Sequence, residues 1–209
     1  MEISDRDALI VIDVQNDFLP GGALAAPNGD EIVPLINRLS QTFKNVVVTQ
    51  DWHPSGHASF ASAHKGAKPF ETIKMPYGPQ TLWPDHCVQG SLGAALSGAL
   101  NIDHAMLILR KGTNSDVDSY SAFNEADGKT STGLAPLLRS RGVSRLFLCG
   151  LATDFCVAYS ALDARKEGFE TFVIEDACRA IDADGSLDAA WAKMRSAGVW
   201  RVASREVLS

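Results

Sequence analysis

The sequence predicts a three-layer α/β/α sandwich built on a six-stranded, mainly parallel sheet. Short apolar runs recur along the chain, each run is continuous rather than alternating in polarity, and stretches with helical spacing of apolar residues separate them. Continuous apolar strands are typical of parallel sheets that are covered on both faces. Strands that alternate with helices build such sheets through right-handed crossovers, which gives helical layers on both sides.

Each element of this prediction has its own signal. The predicted strands are residues 8–12, 46–49, 106–109, 146–149 and 171–174, with a weaker sixth at 199–202. The predicted helices are residues 30–42, 130–141, 154–167 and 186–197, and the last three are followed by C-capping glycines, Gly142, Gly168 and Gly198. Residues 50–100 are rich in Gly, Pro, His and aromatic residues and show little periodicity, so we expect a long functional loop there.

Length and composition fit one domain over residues 1–209, with residues 50–100 as an insertion that carries binding residues. A chain of 209 residues with 45% hydrophobic and 21% charged residues is ordinary for a soluble globular protein. The net charge of −6 argues against nucleic acid or an acidic membrane surface as a partner. We expect a small-molecule substrate, and the sequence leaves open whether the protein forms a homo-oligomer.

The cellular compartment is predicted from the N-terminus and the cysteines. The first thirteen residues carry acids before their apolar run and lack the basic stretch of a signal peptide. No apolar run approaches the roughly 20 residues of a membrane helix. The four cysteines are too few and too scattered for a disulfide framework, so we expect a cytoplasmic protein with reduced thiols.

Chemically active side chains follow the predicted strands at their carboxyl ends. Asp13 follows the first strand, Asp51 the second and Lys111 the third, and Cys156 lies in the turn after the fourth. In open parallel sheets, ligands bind beyond the carboxyl ends of the strands. We therefore expect these side chains, which are far apart in sequence, to converge on one crevice.

Cys156 is the candidate nucleophile of this group. At the first turn of a helix, the backbone dipole favours a thiolate, and the free N–H groups of that turn could stabilise an oxyanion. A free cysteine is more often a small buried hydrophobic residue, which is our interpretation of the other three. Asp13 and Lys111 change the balance, because Asp13 can take the thiol proton and Lys111 can hold both anions in place.

A second group of residues indicates a metal site. Asp51 and His53 are two residues apart at the end of a strand, so their side chains face the same side. A further histidine from the long loop, where His57 and His86 lie, would complete a three-ligand site with room for water. Imidazole and carboxylate ligands together suit Zn²⁺, Fe²⁺ or Mn²⁺. His64 and His104 belong to no motif, and we interpret them as surface residues.

Six motif segments follow one another along almost the whole chain. They are residues 12–18 (IDVQNDF), 51–60 (DWHPSGHASF), 83–90 (WPDHCVQG), 111–112 (KG), 118–123 (DSYSAF) and 150–157 (GLATDFCV). In this order they resemble the nicotinamidase/pyrazinamidase branch of the isochorismatase-like cysteine hydrolases, which have a Rossmann-like fold, and six in order are far more specific than any one alone.

The resemblance assigns a role to each matching residue. It implies a catalytic triad of Asp13, Lys111 and Cys156, and one divalent metal ion, with Zn²⁺ favoured over Fe²⁺ or Mn²⁺, held by Asp51, His53 and His86. His57 binds the metal in some relatives and only neighbours it in others. The resemblance also implies a ring pocket lined by Phe18, Trp83 and Tyr120, and a cis Leu151–Ala152 bond that turns the N–H groups of Ala152 and Cys156 towards the oxyanion.

The implied activity is hydrolysis of nicotinamide, and of pyrazinamide, to the acid and ammonia through a thioester on Cys156, in NAD salvage. In the family the metal also takes the ring nitrogen and polarises water. The nearest alternative is a metal-independent amidase of the same superfamily that acts on a carbamoyl or ureido compound, and such relatives lack the two metal motifs. A vinyl-ether hydrolase would lack the nucleophilic cysteine, and a non-catalytic binding protein would have no use for the triad.

Overall fold

The computed structural model describes residues 1–208 and is built around a six-stranded parallel sheet, which confirms the predicted fold class. The strands are β1 (Asp7–Ile12), β2 (Asn45–Asp51), β3 (Thr72–Met75), β4 (Gly78–Thr81), β5 (Leu107–Lys111), β6 (Arg145–Leu151), β7 (Glu170–Arg179) and β8 (Trp200–Val202). The helices are α1 (Val33–Ser40), α2 (Leu134–Ser140), α3 (Ala158–Lys166) and α4 (Ser186–Ser196). The sheet order is β5-β2-β1-β6-β7-β8, and β3 and β4 form a separate antiparallel hairpin.

The strand order places the predicted site residues Asp13, Asp51 and Cys156 at or just beyond the carboxyl ends of strands in the middle of the sheet. Every residue of β1 and β2 is buried, as expected for strands covered on both faces. From β1 the chain adds β2 and β5 on one side, then returns to add β6, β7 and β8 on the other. The carboxyl ends of β1 and β6 therefore flank the switch point of the sheet, where a crevice opens. At Gly150 on β6, a Cβ atom would lie 2.1 Å from the backbone oxygen of Ile12, so only glycine permits this close approach.

The helices differ from the prediction mainly at their starts. The second helix begins at Leu134 rather than at residue 130, because Gly133 is left-handed with φ 86° and the Ser131 and Thr132 side chains accept hydrogen bonds from the backbone there. The first begins with a 3₁₀ turn, Gly29–Ile32. The predicted third helix opens with a π-helical turn, Thr153–Val157, before α3. Such turns are frequent at functional sites.

Residues 50–100 form a long connection, as predicted, but they contain the β3–β4 hairpin that sequence reasoning missed. Its strands have four residues each and show no clean alternation of apolar and polar side chains. None of the helices within residues 1–208 has the length and hydropathy of a membrane span.

Candidate active site

Lys111 connects the predicted catalytic residues at the carboxyl end of the sheet. Its Nζ atom lies 2.8 Å from Asp13 Oδ2 and 3.4 Å from Cys156 Sγ. It also donates a 3.0 Å hydrogen bond to the backbone oxygen of Ser119. All three predicted triad side chains are buried. The structure therefore brings together an acid, a cation and a thiol from β1, β5 and the turn after β6, as the sequence predicts.

Thr49 fixes the orientation of the Asp13 carboxylate. Its hydroxyl on β2 donates a 2.6 Å hydrogen bond to Asp13 Oδ1, and the Asp13 N–H donates to the same hydroxyl oxygen at 3.1 Å. This leaves Asp13 Oδ2 for Lys111. Sequence reasoning missed Thr49, because a threonine inside an apolar strand carries no signal for a polar contact across the sheet.

Burial controls the protonation of the thiol and its base. Burial raises the pKa of the Cys156 thiol well above its usual range, although the Lys111 cation opposes the shift. Burial therefore opposes the helix terminus, which favours a thiolate, and makes a base beside the thiol necessary. Burial also raises the pKa of Asp13, against the opposing effect of Lys111. A carboxylate with a raised pKa is a stronger base, so it is better able to receive the thiol proton.

The predicted metal ligands converge beside the triad. Asp51 Oδ2 lies 3.4 Å from His53 Nε2 and 3.8 Å from His86 Nε2. One ligand atom from each of the three residues lies within 4.8 Å of the others. Lys111 Nζ contacts the other carboxylate oxygen of Asp51 at 2.5 Å, so one lysine joins this group to the triad.

The chemistry of the donor set fits a divalent metal. His53 Nδ1 lies 3.0 Å from the Gly112 carbonyl oxygen, and His86 Nδ1 lies 2.8 Å from that of Pro84. A carbonyl only accepts hydrogen bonds, so Nδ1 carries the proton and the neutral ring offers its Nε2 lone pair. A Cβ atom at Gly112 would lie 2.5 Å from His53 Cε1, so the glycine makes room for this ring.

Charges within this group support metal binding. Burial alone would raise the pKa of Asp51, but Lys111 and His53 hold it well below its usual range, so the carboxylate is ionised. Burial lowers the pKa of His53, and the Asp51 carboxylate more than offsets this, so the pKa is raised. A metal ion must therefore compete with a proton for His53.

His57 lies beside this group rather than within it. Its Nδ1 lies 2.7 Å from Ser59 Oγ and accepts a hydrogen bond from the Ser59 N–H at 3.2 Å. Its ring centroid is 4.3 Å from that of His53. Its candidate ligand atom groups with those of His53 and Asp118, and not with that of Asp51. This geometry favours a neighbouring role for His57 over direct binding with Asp51.

A small cavity connects the thiol, the metal group and the predicted ring pocket. Its volume is about 20 Å³. Its lining includes the three predicted ring contacts, Phe18, Trp83 and Tyr120, and the four residues Leu24, Asp118, Phe155 and Ile181. Leu24 and Ile181 were missed because they come from loops without a motif. An open groove of about 710 Å³ near β5 is larger, but no residue of the triad or the metal group lines it.

A polar network holds the aromatic wall of this cavity. Trp83 Nε1 donates a 2.8 Å hydrogen bond to the Tyr120 hydroxyl. The buried Gln80 on β4 donates to Asp118 Oδ2 at 2.8 Å and to the Tyr120 hydroxyl at 3.1 Å. The hairpin that sequence reasoning missed therefore supports the ring pocket.

The turn before Cys156 has the backbone that the resemblance implies. The Leu151–Ala152 peptide bond is cis. Ala152 and Cys156 both line the cavity, so their N–H groups are candidates for contact with an oxyanion there.

Comparison with known proteins identifies the family of this chain. The family model described as an isochorismatase domain matches residues 7–206. The chain is 55% identical to the nicotinamidase of Acinetobacter baylyi, over 100% of this chain and 97% of that protein. The solved structure of an Acinetobacter baumannii nicotinamidase/pyrazinamidase superposes with a TM-score of 0.97 at 54% identity, over 98% of this chain and 99% of that one.

A third relative carries a metal. The structure of the pyrazinamidase of Pyrococcus horikoshii in complex with zinc has a TM-score of 0.76 and 38% identity, over 95% of this chain and 99% of that one. The chain therefore belongs to the isochorismatase family of hydrolases. Within that family its place is in the nicotinamidase and pyrazinamidase branch.

Proposed function

We propose that Cys156 is the nucleophile of the nicotinamidase reaction of this enzyme. In this reaction nicotinamide is hydrolysed to nicotinic acid and ammonia, as a step of NAD salvage. The observation that carries the proposal is the position of Lys111 Nζ, 2.8 Å from Asp13 and 3.4 Å from Cys156 Sγ, at a cavity that the metal group also lines. A thiol, a base and a cation in one buried site are the parts that acyl transfer requires.

Asp13 begins the reaction as the general base. Burial raises the pKa of the Cys156 thiol, so a base is needed to activate it. Asp13 then takes that proton while Sγ attacks the carboxamide carbon. The Lys111 cation, 3.4 Å from Sγ, stabilises the developing thiolate.

The backbone of the turn and the same carboxyl group complete the reaction. The N–H groups of Ala152 and Cys156 stabilise the oxyanion of the tetrahedral intermediate. Asp13 returns its proton to the departing ammonia, which leaves a thioester on Cys156. A water molecule that gives a proton to Asp13 then attacks the thioester. Asp13 passes that proton to Sγ as the C–S bond breaks, which releases nicotinic acid and restores the free thiol.

Asp51, His53 and His86 would hold one divalent metal ion, for which Zn²⁺ is the candidate because their Nε2 and carboxylate atoms form a typical zinc donor set. When bound, the ion supplies a Lewis acid next to the ring pocket. His53 and His86 keep their rings oriented through the carbonyl oxygens of Gly112 and Pro84.

A comparison of three amides tests the proposed substrate. We expect efficient hydrolysis of nicotinamide and pyrazinamide and poor hydrolysis of benzamide, which keeps the ring shape and the carboxamide but has no ring nitrogen. A site built to receive a polar atom discriminates strongly against an analogue without it. Equal kcat/KM values for nicotinamide and benzamide would contradict the proposal and would indicate a general aromatic amidase. Turnover of a ureido compound by the metal-free enzyme would support the metal-independent alternative instead.

A further inference from the structure

One wall of the cavity belongs to the loop between β7 and α4. Ile181 in this loop lines the cavity together with Ala152 and Cys156. The loop has an unusual backbone, because Asp182 and Asp184 adopt positive φ angles of 53° and 51°. Its conformation therefore depends on contacts that hold it in place.

The side chain that holds this loop is Asp154. Asp154 Oδ1 accepts a 3.1 Å hydrogen bond from the Ile181 N–H, and Oδ2 accepts a 2.8 Å bond from the Asp182 N–H. The Ser186 hydroxyl, at the start of α4, donates a 2.5 Å bond to the same Oδ2. Asp154 is only 5% exposed, so water competes little for these charge-assisted bonds.

Asp154 also belongs to the turn that carries the nucleophile. It lies in the π-helical turn Thr153–Val157, two residues before Cys156. One carboxylate thus links the turn that carries the thiol to the loop that brings Ile181 into the cavity lining. A change in the loop position would alter the space above Cys156 directly.

The cavity beside Cys156 is small compared with the proposed substrate. A volume of about 20 Å³ holds about one water molecule, and a pyridine ring with a carboxamide is several times larger. The fit of a substrate ring therefore depends on how the walls of this cavity are held. The Ile181 wall is joined to the turn of the nucleophile through the hydrogen bonds of Asp154.

We propose that Asp154 is a positioning residue that clamps the 180–186 loop, and that this clamp sets how closely Ile181 confines the substrate ring above Cys156. The inference rests on the proposed function, and it adds a determinant of ring selectivity. It predicts that loosening the clamp relaxes discrimination against substituted rings more than it slows the chemical step.

The test compares Asp154→Asn with the wild type on nicotinamide and on its 2-, 5- and 6-methyl derivatives. The variant keeps the shape of the side chain but places an NH₂ group where Oδ2 accepts two bonds. We expect a higher KM for nicotinamide with a smaller change in kcat. We also expect kcat/KM for at least one methylated substrate to rise relative to nicotinamide by on the order of ten-fold. Ile181→Ala should give the same shift, and the double variant should add little to either single change.

Asp176→Asn is a control for the change from carboxylate to amide at an exposed position. Asp176 also accepts bonds from a backbone N–H and a serine hydroxyl, both of Ser204, but it does not line the cavity. Its substrate profile should equal that of the wild type. If Asp154→Asn does not fold, Ser186→Ala removes one of the three bonds to Asp154. It should cause a smaller change in relative kcat/KM, and adding Ser186→Ala to Ile181→Ala should change the substrate profile little further.

The outcomes separate this inference from the proposed function. Hydrolysis of nicotinamide by the wild type tests the proposed function alone. An unchanged profile in folded Asp154→Asn would overturn the clamp, as would an unchanged profile in Ser186→Ala if only that variant folds. An equal loss on every substrate would also overturn it, because it would indicate a purely structural role.

Discussion

Replacement of Lys111 by methionine should destabilise the metal-free protein strongly. The Lys111 ammonium lies 2.8 Å from Asp13 Oδ2 and 2.5 Å from Asp51 Oδ1, and the three side chains are at most 6% exposed. Methionine fills much of the same volume but leaves two buried carboxylates without their counter-charge. Removing one partner of a buried ion pair typically costs about 3–5 kcal/mol. In a chain of this length that corresponds to a fall in Tm of roughly 6–20 °C.

The loss of stability in Lys111→Met should depend on metal and on pH in defined directions. Lys111 has a pKa well above its usual range, because the two carboxylates outweigh burial, so its contribution is fully present at neutral pH. The pKa of Asp51 is held well below its usual range, so its contribution is present above the unfolded carboxyl pKa of about 4 and disappears at lower pH. Zn²⁺ should reduce the deficit, since it supplies positive charge to Asp51.

Chemical denaturation at pH 7, with chelator and with Zn²⁺, measures this effect. Lys44→Met is the matched control, because Lys44 also makes a 2.5 Å ion pair, with Asp5, but both side chains are exposed. The control should change the free energy of unfolding by less than about 1 kcal/mol. If metal-free Lys111→Met unfolds with a free energy within about 1 kcal/mol of the wild type, the reasoning about this buried cluster is wrong.

Two further predictions concern the groups around Lys111. Alanine at Asp51, His53 or His86 should abolish tight Zn²⁺ binding in calorimetry, and His57→Ala should weaken it less. The Zn²⁺ affinity of the wild type should fall at lower pH, because protons compete for His53. Tight Zn²⁺ binding by the His86 variant would count against this ligand set. Thr49→Val should lower kcat/KM by roughly ten-fold through loss of the bond to Asp13, whereas Thr171→Val, which removes a buried hydroxyl bonded to the Phe169 carbonyl oxygen, should leave kcat/KM unchanged.

The sequence predicted the sheet and the convergence of the site for the same physical reason. Continuous apolar runs give strands buried on both faces, and the carboxyl ends of parallel strands meet at one edge. That argument alone brings Asp13, Asp51, Lys111 and Cys156 together, as the structure shows.

The parts that sequence reasoning missed depend on contacts between distant loops. Ile181 lines the cavity from an irregular loop, and Gln80 in a short hairpin supports the cavity wall through the Tyr120 hydroxyl. Neither segment has a periodic pattern. The effect of burial on Cys156 is also not visible in the sequence. The helix terminus favours a thiolate, whereas burial raises the pKa of the thiol.

Ammonia release by Cys156→Ala tests the central claim most directly. The variant should still bind nicotinamide, measured by calorimetry, but its turnover should fall by roughly 10⁴-fold or more, as for other enzymes that lose their nucleophile. Cys149→Ala, which removes another buried thiol from inside β6, should keep turnover close to that of the wild type. If Cys156→Ala retains turnover within about a hundred-fold of the wild type, Cys156 is not the nucleophile and the thioester mechanism is contradicted.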